Sequence, residues 1–246
     1  MDCYKGFAQM YDRFMKDVPY EHWAIYIDRI LKKQLINVDT PFVLDLACGT
    51  GNMTLPLARL GYDMIGVDIS ADMLACAQQK AWDESLSILF LAQDMRVLDL
   101  YGTIHAVVSV CDGLNYILDE DELCEVFRRV ALFLEPGGVF IFDMNTAFKY
   151  HSQLANNTFT AETDDEEYIW DNQYNETTAI NEYHMTFINT HTQEAFTELH
   201  KQRAYALDAI YEMLTIVGFS RVLIKDGYTV ENVRADSLRA VFVAYM

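Results

Sequence analysis

The stretch Phe42-Val43-Leu44-Asp45-Leu46-Ala47-Cys48-Gly49-Thr50-Gly51-Asn52-Met53-Thr54 constrains the rest of the chain. Its apolar run reads as a buried strand. The run ends on an acid, Asp45, and the chain then turns through two glycines into a helix predicted from about Asn52 to Leu60. Glycine lets backbone approach a ligand where a Cβ would block it, and the first turn of the helix points unpaired N–H groups at the same spot. A strand, a glycine turn and a helix in that order place a nucleotide-type site at the carboxyl end of the first strand of a parallel α/β sheet.

A second unit repeats the pattern. Asp63-Met64-Ile65-Gly66-Val67-Asp68 reads as a short strand ending in an acid, and Ser70 is a plausible N-cap for a helix that starts Ala71-Asp72-Met73-Leu74. Asp68 lies 17 residues after Gly51, near the spacing expected of an acid that accepts hydrogen bonds from ribose hydroxyls. The dinucleotide fingerprint G-x-G-x-x-G would use Gly49 and Gly51, but Thr54 stands where its third glycine belongs. Asp45 would also repel a pyrophosphate so close by, whereas it would attract an amino group.

With both landmarks in view, Asp45-Leu46-Ala47-Cys48-Gly49-Thr50-Gly51 resembles motif I of the class I S-adenosylmethionine (SAM) methyltransferases, with Ala47 where the family often has glycine. Val67-Asp68-Ile69-Ser70-Ala71-Asp72-Met73-Leu74 matches the family's V-D-x-S-x-x-M-L. The resemblance is strong through Leu100, weaker to Thr146 and architectural beyond. It implies a three-layer αβα fold on a seven-stranded, mostly parallel sheet whose closing strand is antiparallel. It implies SAM as cofactor, with Asp45 and the Gly49–Gly51 turn at the methionine end, Asp68 on the ribose, and Asp94 and Met95 at the adenine. Ala47, Ile69, Met73 and Ser109 complete the expected cofactor-binding set. In such families an N-terminal Tyr-Asp segment folds over the cofactor, which makes Tyr4, Tyr11 and Trp23 lid candidates; ordinary helix packing is the alternative.

The rest of the chain fits two parts. Residues 1–150 with 205–246 are expected to form the cofactor domain, with 1–40 as an N-terminal helical lid: Tyr4, Phe7, Ala8 and Tyr11 share one helical face, and Trp23, Tyr26, Ile27, Ile30 and Leu31 another. Strands are predicted at 87–92, 106–110 and 139–144. A helix capped by Asp119 and Glu122 is expected to run to about Leu134, where Pro136-Gly137-Gly138 stops it. Residues 147–165 read as a polar linker. Alternating runs between 166 and 204 predict three antiparallel strands, the main part of an inserted cap spanning 151–204 over the site. Ala206 to Val217 returns to helical spacing with Gly218 as C-cap, and the runs 220–225 and 238–245 close the sheet as a hairpin.

Chemistry on the acceptor side is less local. Displacement at a sulfonium needs alignment above all, and a hydroxyl or ammonium acceptor adds the need for a base. Asp112 and Asn145, at the ends of the fourth and fifth strands, are the candidates for orienting the acceptor; Asp112, His151 and His184 are base candidates by position. Cys111 lacks the Pro-Cys or Thr-Cys setting of cytosine-C5 enzymes and reads as a buried thiol. The Asn/Asp-Pro-Pro-aromatic signature of amino methyltransferases is absent. His184, His191 and His200 have no cysteine pair beside them, so no metal site is expected. The insertion's aromatics, Tyr168, Trp170, Tyr174, Tyr183 and Phe187, either line an acceptor pocket or pack on the core.

Charge narrows the acceptor. The net charge of −19 over 246 residues disfavours nucleic acid and anionic membranes, where basic patches supply most affinity. The expected acceptor is therefore a small molecule. Five cysteines without a C-x-x-C pair, no secretory signal and no apolar run of spanning length point to the cytoplasm; oligomeric state stays open. Two other functions stand beside catalysis of methyl transfer: a nicotinamide oxidoreductase, and a SAM-binding sensor whose cap seals the site.

Overall fold

The computed structural model describes residues 11–162, 166–192 and 194–246. Tyr4, one of the lid candidates, lies outside the described residues, as do Phe7 and Ala8. The elements run α1 (Tyr20–Gln34), β1 (Phe42–Leu46), α2 (Thr54–Arg59), β2 (Asp63–Asp68), α3 (Ala71–Asp83), β3 (Leu89–Ala92), β4 (Ile104–Ser109), α4 (Glu120–Phe133) and β5 (Leu134–Asn145). After β5 come β6 (Thr158–Glu162), β7 (Glu166–Asn175), β8 (Ile180–Asn189), β9 (Ala195–Arg203), α5 (Leu207–Ile216), β10 (Arg221–Asp226) and β11 (Arg239–Tyr245).

Seven strands make one sheet in the order β10-β11-β5-β4-β1-β2-β3. The β1–β2, β2–β3, β1–β4 and β4–β5 pairs are parallel, and β11 runs antiparallel between β5 and β10. This is the expected architecture. The chain leaves β1 toward β2 and β3, then returns to place β4 on the other side. The carboxyl ends of β1 and β4 therefore part, and a crevice opens between them.

The central strands are covered on both faces, which is why their sequences are nearly continuously apolar. Val43, Leu44 and Leu46 of β1, Val107 of β4 and Phe140 and Phe142 of β5 are fully buried. α4 lays Leu123, Val126, Phe127 and Val130 on one face of the sheet. On the other face α1 buries Trp23, Ala24, Ile27 and Leu31. The helix starts follow their caps: Ser70 accepts from the Met73 N–H, and Asp119 accepts from the N–H groups of Asp121 and Glu122.

The helix end agrees with expectation, but the start of β5 and the strand count of the insertion differ. α4 ends at Phe133, and Pro136-Gly137-Gly138 forms the irregular beginning of β5 rather than a loop before it. The β4–β5 register shifts there, between Ile104 and Ala106. Gly138 packs so closely that a Cβ would stand 2.9 Å from the carbonyl oxygens of Glu135 and His105, so this glycine permits a close approach of strands instead of ending an element. The insertion has four strands, not three, in the order β6-β7-β8-β9. β6 lies inside the stretch read as a linker. All five of its residues are exposed, so its short alternation, with Phe159 and Ala161 its apolar members, marks no buried face, and it is held by backbone pairing to β7 and the Phe159–Trp170 ring contact. The same stretch also contains a helical turn, Ala147–Lys149, and a π turn, Tyr150–Leu154. Tyr150 there is fully buried and donates to Gln202 Oε1 at 2.9 Å. Among the described residues no helix is long and apolar enough to cross a membrane.

Candidate functional site

A cavity of about 560 Å³ opens at the crevice. One end is built by the sequence's first two units: Ala47 and Gly49 from the β1 turn, Asp68, Ile69, Ser70 and Met73 from the β2–α3 junction, and Gln93, Asp94 and Met95 after β3. Local chemistry shapes this end. Ala47 and Gly49 both adopt positive φ, 61° and 53°, which turns the backbone sharply and points the Gly49 N–H at Asp68 Oδ2, 2.8 Å away. The Ser70 N–H reaches the other oxygen, Oδ1, at 2.9 Å. Burial nevertheless raises the Asp68 pKa above the usual carboxylate range. Asp94 is held differently. Arg96 grips both its oxygens, with contacts of 2.5 to 3.0 Å, and that ion pair lowers its pKa.

A small recess adjoins the cavity under the β1 turn, lined by Tyr11, Tyr20, Asp45, Ala47 and Cys111. Asp45 Oδ2 accepts a 2.6 Å hydrogen bond from the Thr54 hydroxyl, whereas Oδ1 is buried with no partner among the described residues. Desolvation therefore pushes the Asp45 pKa up to about 7, with help from the nearby Asp68 charge. Ser109 Oγ is likewise buried without a partner, below Gly113, where a Cβ would meet Ala47 Cβ at 3.0 Å. Tyr20, not singled out from sequence, places its hydroxyl 3.3 Å from Cys111 Sγ. The segment over this recess is fastened by Asp12, which accepts from Thr50 Oγ1 at 2.5 Å and Asn52 Nδ2 at 2.9 Å and pairs with Lys80 at 2.8 Å.

Most of the expected cofactor residues thus meet around one space. Gly51, Trp23 and Ser109 do not; Ser109 is fully buried and lines neither the cavity nor the recess. Gly51 (φ 80°) lets the turn pack on α3, since a Cβ would lie 3.1 Å from Ala77 Cβ. Trp23 is buried in a stack on Tyr228, with ring centroids 4.3 Å apart; its helical face packs on the core, and Tyr11 is the lid candidate that reaches the cavity.

The acceptor end departs further from expectation. Asp112 and Asn145 are absent from the cavity wall. Asp112 has both oxygens engaged, by Arg239 at 2.9 Å and Gln202 Nε2 at 2.7 Å. Asn145 is buried, accepting from Lys149 Nζ at 2.8 Å and bonding Asn115 through its backbone. Arg239 also bonds Asp143, which in turn accepts from the Cys111 and Asp112 N–H groups and the Tyr228 hydroxyl. These polar strand ends lock the four-stranded insertion to the sheet. His184 is exposed, and His151 pairs with Glu176 at the surface.

The wall here consists instead of Cys111, Gly113, Tyr116, Ile117, Glu198 and His200. His200 Nε2 lies 3.0 Å from Glu198 Oε2. Its ring stacks on Tyr183 at 5.1 Å and meets Tyr116 edge-on at 5.9 Å, and the two tyrosine hydroxyls are 2.5 Å apart. Burial pushes the Cys111 thiol up to about 12, so it stays protonated at neutral pH. The other aromatics stand behind or beside this wall: Tyr168 and Phe187 pack on Phe14, and Tyr174 stacks on Tyr150. Strict alternation in β9, with Phe196, Glu198, His200 and Gln202 on one face, was the sequence signal for Glu198 and His200.

Residues at the first end fit SAM. The orphaned Asp45 oxygen suits an ammonium, the strained Ala47–Gly49 turn leaves room for backbone contact, and Asp68 lies open to the cavity. Known proteins agree. A family model described as a methyltransferase domain matches residues 43–138. The protein named "Putative methyltransferase YqeM" from Bacillus subtilis (strain 168) is 35% identical over 98% of this chain and 96% of its own length. The crystal structure of a SAM-dependent methyltransferase from Clostridium acetobutylicum ATCC 824 superposes with a TM-score of 0.87, at 30% identity, covering 100% of this chain and 99% of that one. A shorter match, 34% identical over 40% of each chain, is to a dTDP-3-amino-3,4,6-trideoxy-alpha-D-glucopyranose N,N-dimethyltransferase from Streptomyces venezuelae.

Proposed function

This chain belongs to the class I SAM-dependent methyltransferases, and from that premise we propose that it methylates a small molecule held between the β1 and β2 turns and the inserted sheet. The observation that carries this reading is the single cavity whose wall passes from Asp68 and Asp94 to Tyr116, Glu198 and His200. A cofactor at one end leaves the other end for a second, small substrate. The acidic balance, −19 overall, supports a small molecule over nucleic acid. So does the S. venezuelae relative, whose name gives a sugar nucleotide as its substrate.

In this reading residues 1–150 and 205–246 hold the cofactor and 151–204 cover the acceptor. Asp68 binds the ribose hydroxyls with the oxygen lone pairs that Gly49 and Ser70 leave over. Asp94, although gripped by Arg96, has lone pairs left for the adenine amino group, beside the Met95 backbone. Asp45 Oδ1 receives the ammonium of the methionine end. The bound cofactor supplies an activated methyl on a sulfonium; the protein's part is alignment, an effect worth up to about 7–11 kcal/mol. Calorimetric titration with SAM, S-adenosylhomocysteine and NAD, followed by transfer of a radiolabelled methyl into a metabolite extract with total RNA as control, tests the reading. SAM and S-adenosylhomocysteine are expected to bind and label to enter the metabolite fraction. Binding of NAD alone, or label in RNA only, would overturn it.

A further inference from the structure

We propose that Tyr20 is a further cofactor-binding residue, whose hydroxyl donates to the carboxylate at the methionine end of SAM; the proposal rests on the methyltransferase reading above. Covalent structure narrows the place. The ammonium and carboxylate of an α-amino acid hang on one carbon. Where Asp45 Oδ1 takes the ammonium, the carboxylate has to lie beside it. The recess under the β1 turn measures about 30 Å³, room for about two water-sized groups. Asp45 and Tyr20 both line it.

The donors of the β1 turn are largely spent. The Thr54 hydroxyl goes to Asp45 Oδ2 at 2.6 Å. Thr50 Oγ1 and Asn52 Nδ2 donate to Asp12, at 2.5 and 2.9 Å. The Gly49 N–H is held by Asp68 Oδ2, and the Gly51 N–H by the Cys48 carbonyl at 2.9 Å. None of the described residues lining the recess is a lysine, arginine or histidine. Lys80, on the far side of the turn, is tied to Asp12 and to Asn52 Oδ1, each at 2.8 Å. An anion in the recess is therefore received by neutral donors.

Tyr20 is placed for this. Its hydroxyl meets Cys111 Sγ at 3.3 Å, and a thiol is a weak donor and a weak acceptor. Burial dominates the Tyr20 pKa and pushes it far above the ordinary phenol value, so the hydroxyl keeps its proton; hydrogen bonds from Tyr11 and Asn52 oppose that shift. Groups that favour the phenolate are donors. They occupy oxygen lone pairs and leave the O–H to turn from sulfur to a carboxylate, a far stronger acceptor. The ring itself is fixed. It stands edge-on to Trp23 at 5.6 Å, and Trp23 stacks on Tyr228. An unpartnered acceptor at Asp45 and a weakly partnered donor at Tyr20 thus share one recess, the complement of a zwitterion.

Decarboxylated SAM is the discriminating probe, because it keeps the sulfonium and the ammonium and lacks the carboxylate. SAM, S-adenosylhomocysteine and decarboxylated SAM are titrated by calorimetry into wild type, Tyr20→Phe and Asp45→Asn at pH 8, above the Asp45 value of about 7. Tyr20→Phe is expected to raise the Kd of SAM and S-adenosylhomocysteine about 10- to 100-fold and to leave that of decarboxylated SAM within about twofold. The retained affinity for decarboxylated SAM also shows that the variant is folded. Asp45→Asn should weaken all three ligands, since each carries the ammonium. Equal losses for SAM and decarboxylated SAM in Tyr20→Phe would make Tyr20 a packing residue, and an unchanged Kd for SAM would put the carboxylate elsewhere; either result overturns the proposal. Failure of the wild type to bind any of the three would instead remove the methyltransferase reading, and this proposal with it.

Discussion

At Asp68 two backbone N–H groups hold one carboxylate in place, and the remaining lone pairs face the cavity. On the proposed ribose role, replacing this acid by alanine strands two hydroxyls, so SAM affinity is expected to fall by about 1.5–3 kcal/mol, read by calorimetry with circular dichroism confirming the fold. Asp45 sets a pH dependence. Its folded pKa is raised to about 7 by burial, so below that pH it is neutral and cannot attract an ammonium. SAM should therefore bind more tightly as pH rises through about 7, and Asp45→Asn should flatten the curve. Without ligand the sign reverses. A raised carboxylate pKa means the folded state binds the extra proton between the ordinary value, near 4, and about 7, so this group's contribution to stability falls as pH rises across that window. Thermal unfolding of wild type against Asp45→Asn, from pH 5 to 8, measures it. The places of these acids were legible in the sequence because each lies at or beside the carboxyl end of an apolar strand, just before a turn; the roles proposed for them came from the family resemblance. His200 and Glu198 were not legible, because alternation tells which residues share a face of β9 but not what that face looks onto. Asp112 and Asn145 misled for the converse reason: a polar strand end next to a cavity can satisfy itself within the protein.

Elements were read best where both faces of a strand are buried. β1, β2, β4 and β11 announce themselves as apolar runs, and the antiparallel closing hairpin followed from its position. β6 was lost because it is an exposed edge held by backbone pairing, and the Pro136-Gly137-Gly138 start of β5 because a glycine that permits close packing looks, in sequence, like one that ends a helix. What sequence could not supply was the joint between the two sheets. Arg239 on β11 bridges Asp143 on β5 and Asp112, which in turn bonds Gln202 on β9. The Asp143 side chain is fully buried, so Arg239→Met strips a buried carboxylate of its cation, and a loss of about 3–5 kcal/mol is expected. Urea unfolding should show that loss. Gln202→Ala leaves the ion pairs intact and is expected to have a smaller effect; an equal effect would mean that the joint depends on the amide and not on the charges.

On the scale of the whole molecule, the first described segment ties the two sheets together. Asp12 is fixed to the β1 turn through Thr50 and Asn52 and to α3 through Lys80. Two residues later Phe14 stacks on Tyr168 of β7, with ring centroids 4.4 Å apart, and touches Phe187 of β8. Tyr11, on the same segment, lines both the cavity and the recess at Asp45. A cofactor that orders the β1 turn must then also order this segment, and through Phe14 the inserted sheet. Amide exchange is therefore expected to slow together at residues 11–18 and in β7 and β8 when SAM binds, although β7 and β8 hold no residue of the cofactor end. Asp12→Ala removes two hydrogen bonds and a half-exposed ion pair, together worth about 1–2 kcal/mol. Its expected signature is an off-rate for SAM raised roughly 5- to 30-fold. Phe14→Ala, which leaves the Asp12 contacts in place, should keep the slowing at residues 11–18 and lose it in β7 and β8. If Phe14→Ala leaves the protection of β7 and β8 unchanged, the inserted sheet responds to SAM through its joint at Arg239 and not through the N-terminal segment.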